Sequence, residues 1–200
     1  MTTHRAWYQL SAMGHAKDQV HLMQGSLNDW MDLGGPIDKE PVKAIDADTL
    51  DLNKEPSYVA TDPQNVVNLE EMKEIVGSNS AVVIDVRARN RFLGQVEEPR
   101  PGLRLGHMPG AVNLPFTNLL VPDSSTFKSK EELTTLIKEA GIDLNTEKRI
   151  VVSCGSGVTA CVVACALQVC GRDPSTTFLY DGSWMEWGAP EQDTPIVKEH

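Results

Sequence analysis

An open, mainly parallel α/β sheet with helices on both faces is the fold class this sequence predicts, and three observations carry it. Short apolar runs of strand length alternate with helical patterns from about residue 66 onward. The run Ala81-Val-Val-Ile-Asp85 is apolar without alternation, as in a parallel strand covered on both faces. Capping residues stand where each helical pattern starts or stops. In chain order, Asn68 caps a helix through about Val76, with Glu70 and Glu71 placed in its first turn near the positive end of the dipole. Ala81–Asp85 is a strand and Val112–Leu114 a shorter one. Ser129 caps a helix through about Ala140 that Gly141 ends. Arg149–Ser153 is the next strand, Val158–Cys170 a helix with Gly171 past its end, and Thr177–Tyr180 the final strand. In such sheets ligands bind at the carboxyl ends of the strands.

The chain also repeats itself. Gly14 and Gly25 are 11 residues apart, as are Gly171 and Gly182, and both second glycines open Gly-Ser-x-x-x-Trp, ending at Trp30 and Trp187. A constant offset of 157 residues relates the two stretches. It lays the helical run Ala6–Met13 on Val163–Cys170 and the strand-like Val20–Met23 on Thr177–Tyr180. The expected organisation is therefore the tail of a first domain copy at 1–33, a linker rich in proline, glycine and aspartate at 34–65, and a full copy at 66–200. Standing without the rest of its own copy, the first segment should expose Trp7, Tyr8, Leu10 and Trp30.

Composition limits the partners. With 18 basic and 28 acidic residues the formal charge is -10, which disfavours nucleic acid and anionic membranes. No apolar run is long enough to span a bilayer, and no secretory leader is evident. The four cysteines, Cys154, Cys161, Cys165 and Cys170, follow no zinc spacing, so no metal is expected. Three of them fall in one apolar helical pattern and read as small buried hydrophobes, in keeping with a reducing cytoplasmic or mitochondrial-matrix setting.

Cys154 is different. It closes a strand and opens Cys154-Gly155-Ser156-Gly157-Val158-Thr159-Ala160. Two glycines let the backbone turn tightly about the sulfur with amides directed inward, and the helix expected from Val158 adds its positive end. Such a cradle stabilises a thiolate and a neighbouring anion, which makes Cys154 the candidate nucleophile. The Ser156 and Thr159 hydroxyls stand in the same cradle. At the end of another strand, Asp85-Val-Arg87-Ala-Arg89-Asn-Arg91 and then Arg100 supply guanidinium groups suited to a carboxylate. Asp85 with Arg87 reads as a structural pair and His107 as a hydrogen-bonded turn histidine. A cysteine phosphatase needs an arginine six positions after its cysteine; that position is Ala160.

Taken together, Asp85-x-Arg87, Gly106-His107-Met108-Pro109-Gly110-Ala111, the Cys154–Ala160 loop and Tyr180-Asp181-Gly182-Ser183-Trp184-x-Glu186-Trp187 resemble the rhodanese superfamily over residues 60 to 190. The Gly155-Ser156-Gly157 stretch is similar to its mercaptopyruvate-using branch, whereas thiosulfate-preferring members carry basic residues there. The resemblance implies a rhodanese-like fold and a sulfurtransferase that takes sulfur from 3-mercaptopyruvate, and less well from thiosulfate, through a Cys154 persulfide. Pyruvate would be released, and thioredoxin, glutathione, another thiol or cyanide would accept the sulfur. It further implies that Arg91 and Arg100 hold the donor with Gly155, Gly157 and Val158 around it, that Ser156 and Thr159 assist proton movement, and that no cofactor is used. A thiosulfate-preferring enzyme and a non-catalytic binding module are the competing expectations, the latter because the first copy is incomplete.

Overall fold

The computed structural model describes residues 2–16, 18–41, 59–61 and 63–198. Most of the expected linker, 42–58, lies outside these residues. Five parallel strands form one sheet in the order β1-β5-β4-β2-β3, where β1 is Val66–Val67, β2 Val82–Asp85, β3 Val112–Asn113, β4 Ile150–Ser153 and β5 Thr177–Tyr180. Register places Ile84 beside Val152 and Asp85 beside Ser153, while Val152 pairs with Leu179. The carboxyl ends of β2, β4 and β5 therefore lie side by side, and the loops that leave them share one rim.

The sheet buries both faces. Ile84, Ile150, Val152 and Leu179 point to one side, where they meet α5 (Lys130–Glu139) and α6 (Ala160–Val169). Val83, Val151 and Tyr180 point to the other, against Met72 and Ile75 of α3 (Leu69–Ser78) and Trp184 and Trp187 of α7 (Ser183–Trp187). Successive residues of β4 thus feed opposite cores, which is why its sequence is apolar throughout. Asn68 accepts the Glu71 amide as the α3 cap, and Ser129 with Glu132 forms a reciprocal capping box on α5.

Every residue of α6 from Ala160 to Leu167 is buried. The helix lies between the sheet and α1 (Thr2–Ala12), whose Tyr8 is buried and whose Trp7 packs on the same core. The expectation that Trp7 and Tyr8 would be exposed is therefore corrected: α6 covers them. Leu10 and Trp30 are exposed, as are Leu27 and Met31 of α2 (Leu27–Asp32). Val20–Met23 is not a strand, because no strand among the described residues lies beside it, whereas β5 is clasped between β1 and β4. α6 starts at Ala160 rather than Val158, since the loop continues through Thr159. Cys170 is only partly buried, as it lies past the end of α6.

Candidate active site

β4 ends at Ser153 and delivers Cys154 to the rim formed with β2 and β5. The loop that follows is held from α7. Trp184 and Met185 donate their amides to the carbonyls of Cys154 and Gly155, each at 3.0 Å. Ser183 Oγ accepts the amides of Cys154 (3.2 Å) and Gly157 (3.0 Å) and donates to the Tyr180 carbonyl (2.9 Å). To do so Ser183 adopts φ 53°, in the left-handed region that an L residue occupies only when its surroundings hold it there. Gly157 has φ 74° and leaves no space for a side chain: a Cβ would stand 2.6 Å from Asp181 Oδ1 and 2.9 Å from the Asp181 carbonyl oxygen.

Among the described residues the sulfur receives one backbone donor, the Ser156 amide at 3.4 Å. The expectation that the amides of the loop converge on it is corrected for Gly157, whose N–H is turned to Ser183. Cys154 itself is 2% exposed, with Gly155 and Ser156 partly open beside it. The Ser156 and Thr159 hydroxyls are half-buried, and neither is hydrogen-bonded to the sulfur. Thr159 occupies the cap position of α6 without a side-chain bond. Val158 joins Ser156 in lining a neighbouring groove of about 380 Å³, shared with Arg5, Asp181, Met185 and Glu186. A second cavity of about 360 Å³ lies away from the sulfur, among His4, Leu22, Phe127 and Cys165.

On the β2 side, Arg91 lies in the short helix α4 (Arg89–Phe92) and reaches the loop: a Cβ on Gly155 would be 3.1 Å from Arg91 Nη2. Glu98 grips that guanidinium through Nη2 at 2.5 Å and Nε at 3.3 Å, leaving Nη1 as the edge that takes no part in the pair. Arg100 is exposed and makes no ion pair among the described residues. The Asp85–Arg87 pair is fully buried at 2.6 Å. Arg87 also donates to Glu98 (2.9 Å) and to the Gly106 carbonyl (2.7 Å) and lies 4.1 Å over the Trp184 ring, fastening the β2 loop to α7. His107 is buried, bonded through Nδ1 to the Phe92 carbonyl at 2.8 Å and stacked on the Phe92 ring, which is a structural arrangement.

Cys161 and Cys165 are held as thiols, pushed up to about 12 and about 11 by burial. Cys161 donates to the Gly157 carbonyl at 3.3 Å. Three residues at the rim were not singled out as site residues from the sequence: Ser183, which entered only within the repeat and within the motif that carries the family resemblance, Glu98 and Arg5. Glu98 carried a weak signal, an acid within an arginine-rich segment. Among the described residues no three His, Cys, Asp or Glu side chains gather as a metal site, and no helix is long and apolar enough to cross a membrane.

Residues 68–190, the whole unit from α3 through the turn after α7, match the rhodanese-like domain. The chain belongs to the rhodanese-like family. The parallel sheet and the cysteine loop at the end of β4 are thus a rhodanese-like α/β domain. A 3-mercaptopyruvate sulfurtransferase of Mus musculus is 36% identical over 195 residues, 98% of this chain and 61% of that protein. A thiosulfate sulfurtransferase of Gallus gallus is 36% identical over 183 residues, 92% of this chain and 57% of that protein. The crystal structure of the Tum1 protein from Saccharomyces cerevisiae superposes with a TM-score of 0.79 at 28% identity, covering 99% of this chain and 66% of that one. The chain spans about three fifths of the length of these curated relatives.

Proposed function

We propose that this rhodanese-like chain is a sulfurtransferase that takes sulfur from 3-mercaptopyruvate through a persulfide on Cys154. The observation that carries the reading is the cradle: a cysteine at the end of a parallel strand, one backbone amide on its sulfur, and Arg91 poised above the adjoining glycine. The Cys154 thiolate attacks the donor sulfur, and the donor's C–S bond breaks with its electron pair on carbon. The enolate of pyruvate leaves and takes up a proton, which in this reading the Ser156 and Thr159 hydroxyls relay. The outer sulfur remains on Cys154, its charge held by the Ser156 amide. An acceptor thiolate then attacks that sulfur and restores Cys154; with a dithiol such as thioredoxin, ring closure to the disulfide releases hydrogen sulfide. Arg91, through its Nη1 edge, and Arg100 bind the donor's carboxylate and carbonyl, and Gly155, Gly157 and Val158 shape the wall around it.

In this reading residues 66–200 are the catalytic domain and 1–33 the end of a preceding rhodanese-like copy. Its helix packs on α6, the helix to which the 157-residue offset relates it. Cytoplasm or mitochondrial matrix suits a chain that must keep Cys154 reduced. Thiosulfate is the second donor to consider, given the likeness to the chicken enzyme; the same persulfide would form. The test is pyruvate release from 3-mercaptopyruvate with a dithiol acceptor, set against Cys154→Ala and against thiosulfate. Turnover that needs Cys154 supports the proposal. A folded protein that binds partners equally well as Cys154→Ser and turns over neither donor would make it a binding module.

A further inference from the structure

Arg5 lies on α1, 152 residues before the loop it touches. Its Nη1 donates to the Gly157 carbonyl at 3.3 Å and to the Asp181 carboxylate, the latter in an ion pair. That contact with Asp181 raises the guanidinium's proton affinity. Gly157 is consequently held at both ends. Its amide is bound by Ser183, and its carbonyl by Arg5 on one side and the Cys161 thiol on the other. Arg5 Nη1 is also 3.0 Å from the place a Gly157 Cβ would take, so the two pack directly. The adjoining residue, Ser156, supplies the amide on the Cys154 sulfur. The peptide that carries the Ser156 N–H is held through the Gly155 carbonyl by the Met185 amide, and the two peptides that follow it are fixed at Gly157, so Arg5 secures the far side of a loop whose rotation would carry the Ser156 amide off the sulfur.

We propose that Arg5 is a positioning residue for sulfur transfer, acting through the Gly157 carbonyl and Asp181 to keep the Ser156 amide on the Cys154 sulfur. α1 is then a working part of the site and not only a cover for α6. The Arg5 and Asp181 side chains are 27% and 49% exposed, so their pairing adds little to folding stability. Its effect is on geometry, where a shift of about 1 Å at a reacting group costs far more. The assay for turnover rests on the sulfurtransferase reading; the labelling below does not.

The full chain and its Arg5→Gln, Arg5→Lys and Asp181→Asn variants are compared in two measurements. The first is kcat and KM for pyruvate release from 3-mercaptopyruvate. The second is the rate of Cys154 alkylation by iodoacetamide, followed by mass spectrometry. Arg5→Gln is expected to lower kcat about tenfold and the alkylation rate in parallel, with KM within about twofold because Arg91 and Arg100 are untouched. One nitrogen of Arg5 makes both contacts, so the lysine ammonium of Arg5→Lys takes its place and recovers most of the loss. Asp181→Asn tests the clamp from its other side and is expected to lose as much as Arg5→Gln, which keeps the test alive should one variant misfold. Alkylation and kcat within twofold of the parent in folded Arg5→Gln, or an Arg5→Lys no better than Arg5→Gln, would overturn the proposal. If the parent releases no pyruvate while alkylation falls in Arg5→Gln and recovers in Arg5→Lys, the positioning role stands and the sulfurtransferase reading fails.

Discussion

Replacing Ser183 by alanine removes a single oxygen and with it the acceptor of two backbone donors, the amides of Cys154 and Gly157. A buried N–H left without a partner costs about 1–3 kcal/mol, so the two together cost about 2–6 kcal/mol. Both residues are buried, which leaves water little access to make good the loss. A second substitution separates the hydrogen bonds from the backbone strain. At φ 53° an L residue bears a penalty of about 1–2 kcal/mol that glycine escapes. Ser183→Gly therefore loses the same acceptor yet should be more stable than Ser183→Ala by about 1 kcal/mol. Urea unfolding read by tryptophan fluorescence suits the measurement, because Trp184 and Trp187 are fully buried in the helix that Ser183 begins. The expected order of stability is parent, Ser183→Gly, Ser183→Ala, with at least about 2 kcal/mol between the first and last. A Ser183→Ala protein within about 1 kcal/mol of the parent, or one more stable than Ser183→Gly, would refute the reasoning.

Asp85→Asn removes the carboxylate that pairs with a fully buried guanidinium, at an expected cost of about 3–5 kcal/mol. At about 2–4 °C per kcal/mol for a chain of this size, the melting temperature should fall by about 6–20 °C; a fall under about 3 °C would show that Glu98 and the Gly106 carbonyl suffice for Arg87. Burial holds the His4 imidazole below its ordinary proton affinity, so the unfolded chain binds the proton more readily. The contribution of His4 is present above about pH 6.5 and is lost as pH falls through the lower folded value, and the drop in urea midpoint on going from pH 7.5 to 5.5 should be smaller in His4→Phe than in the parent. An equal drop in both would exclude His4 as a source. With burial raising the Cys161 and Cys165 thiols to about 12 and about 11, iodoacetamide at pH 8 should leave both unmodified in the folded Cys154→Ala protein and label at most Cys170, as judged by peptide mass.

What the sequence makes legible is what neighbours in the chain decide. The caps at Asn68 and Ser129, the unbroken apolar strands β2 and β4, and the cysteine loop between strand and helix are all written within a few residues of where they act. β1 escapes such a reading because it is two residues long and exists only by pairing with β5. Val20–Met23 shows the converse: a pattern like that of β5, with no strand beside it among the described residues, forms none. The same limit applies within the site. Two glycines around Cys154 announce a tight loop, but which amide faces the sulfur depends on Ser183, 29 residues away, and on Arg5, which precedes the loop by 152. Neither partner can be found by looking along the chain from Cys154, since both are set by how α7 and α1 dock.

The arrangement of charge at the rim bears on how an acidic protein could hold a small anion. Asp85, Arg87, Arg91 and Glu98 form a connected cluster of two cations and two anions, so the arginines that look from the sequence like an attractive field are neutralised where they stand. Long-range attraction then falls to Arg89 and Arg100, both exposed and without an ion pair among the described residues, working against a net charge of -10. Steering of that kind is weak and easily screened. What the cluster supplies instead is order. Glu98, itself anchored by the buried Arg87, keeps the Arg91 guanidinium at the loop before any ligand arrives, with its Nη1 edge outside the pair. A carboxylate bound at that edge would meet a donor whose rotamer is already fixed, so that little side-chain entropy remains to be lost on binding. Affinity at such a site comes from pre-aimed geometry more than from field, and it should accordingly depend more on Glu98 than its own negative charge would suggest.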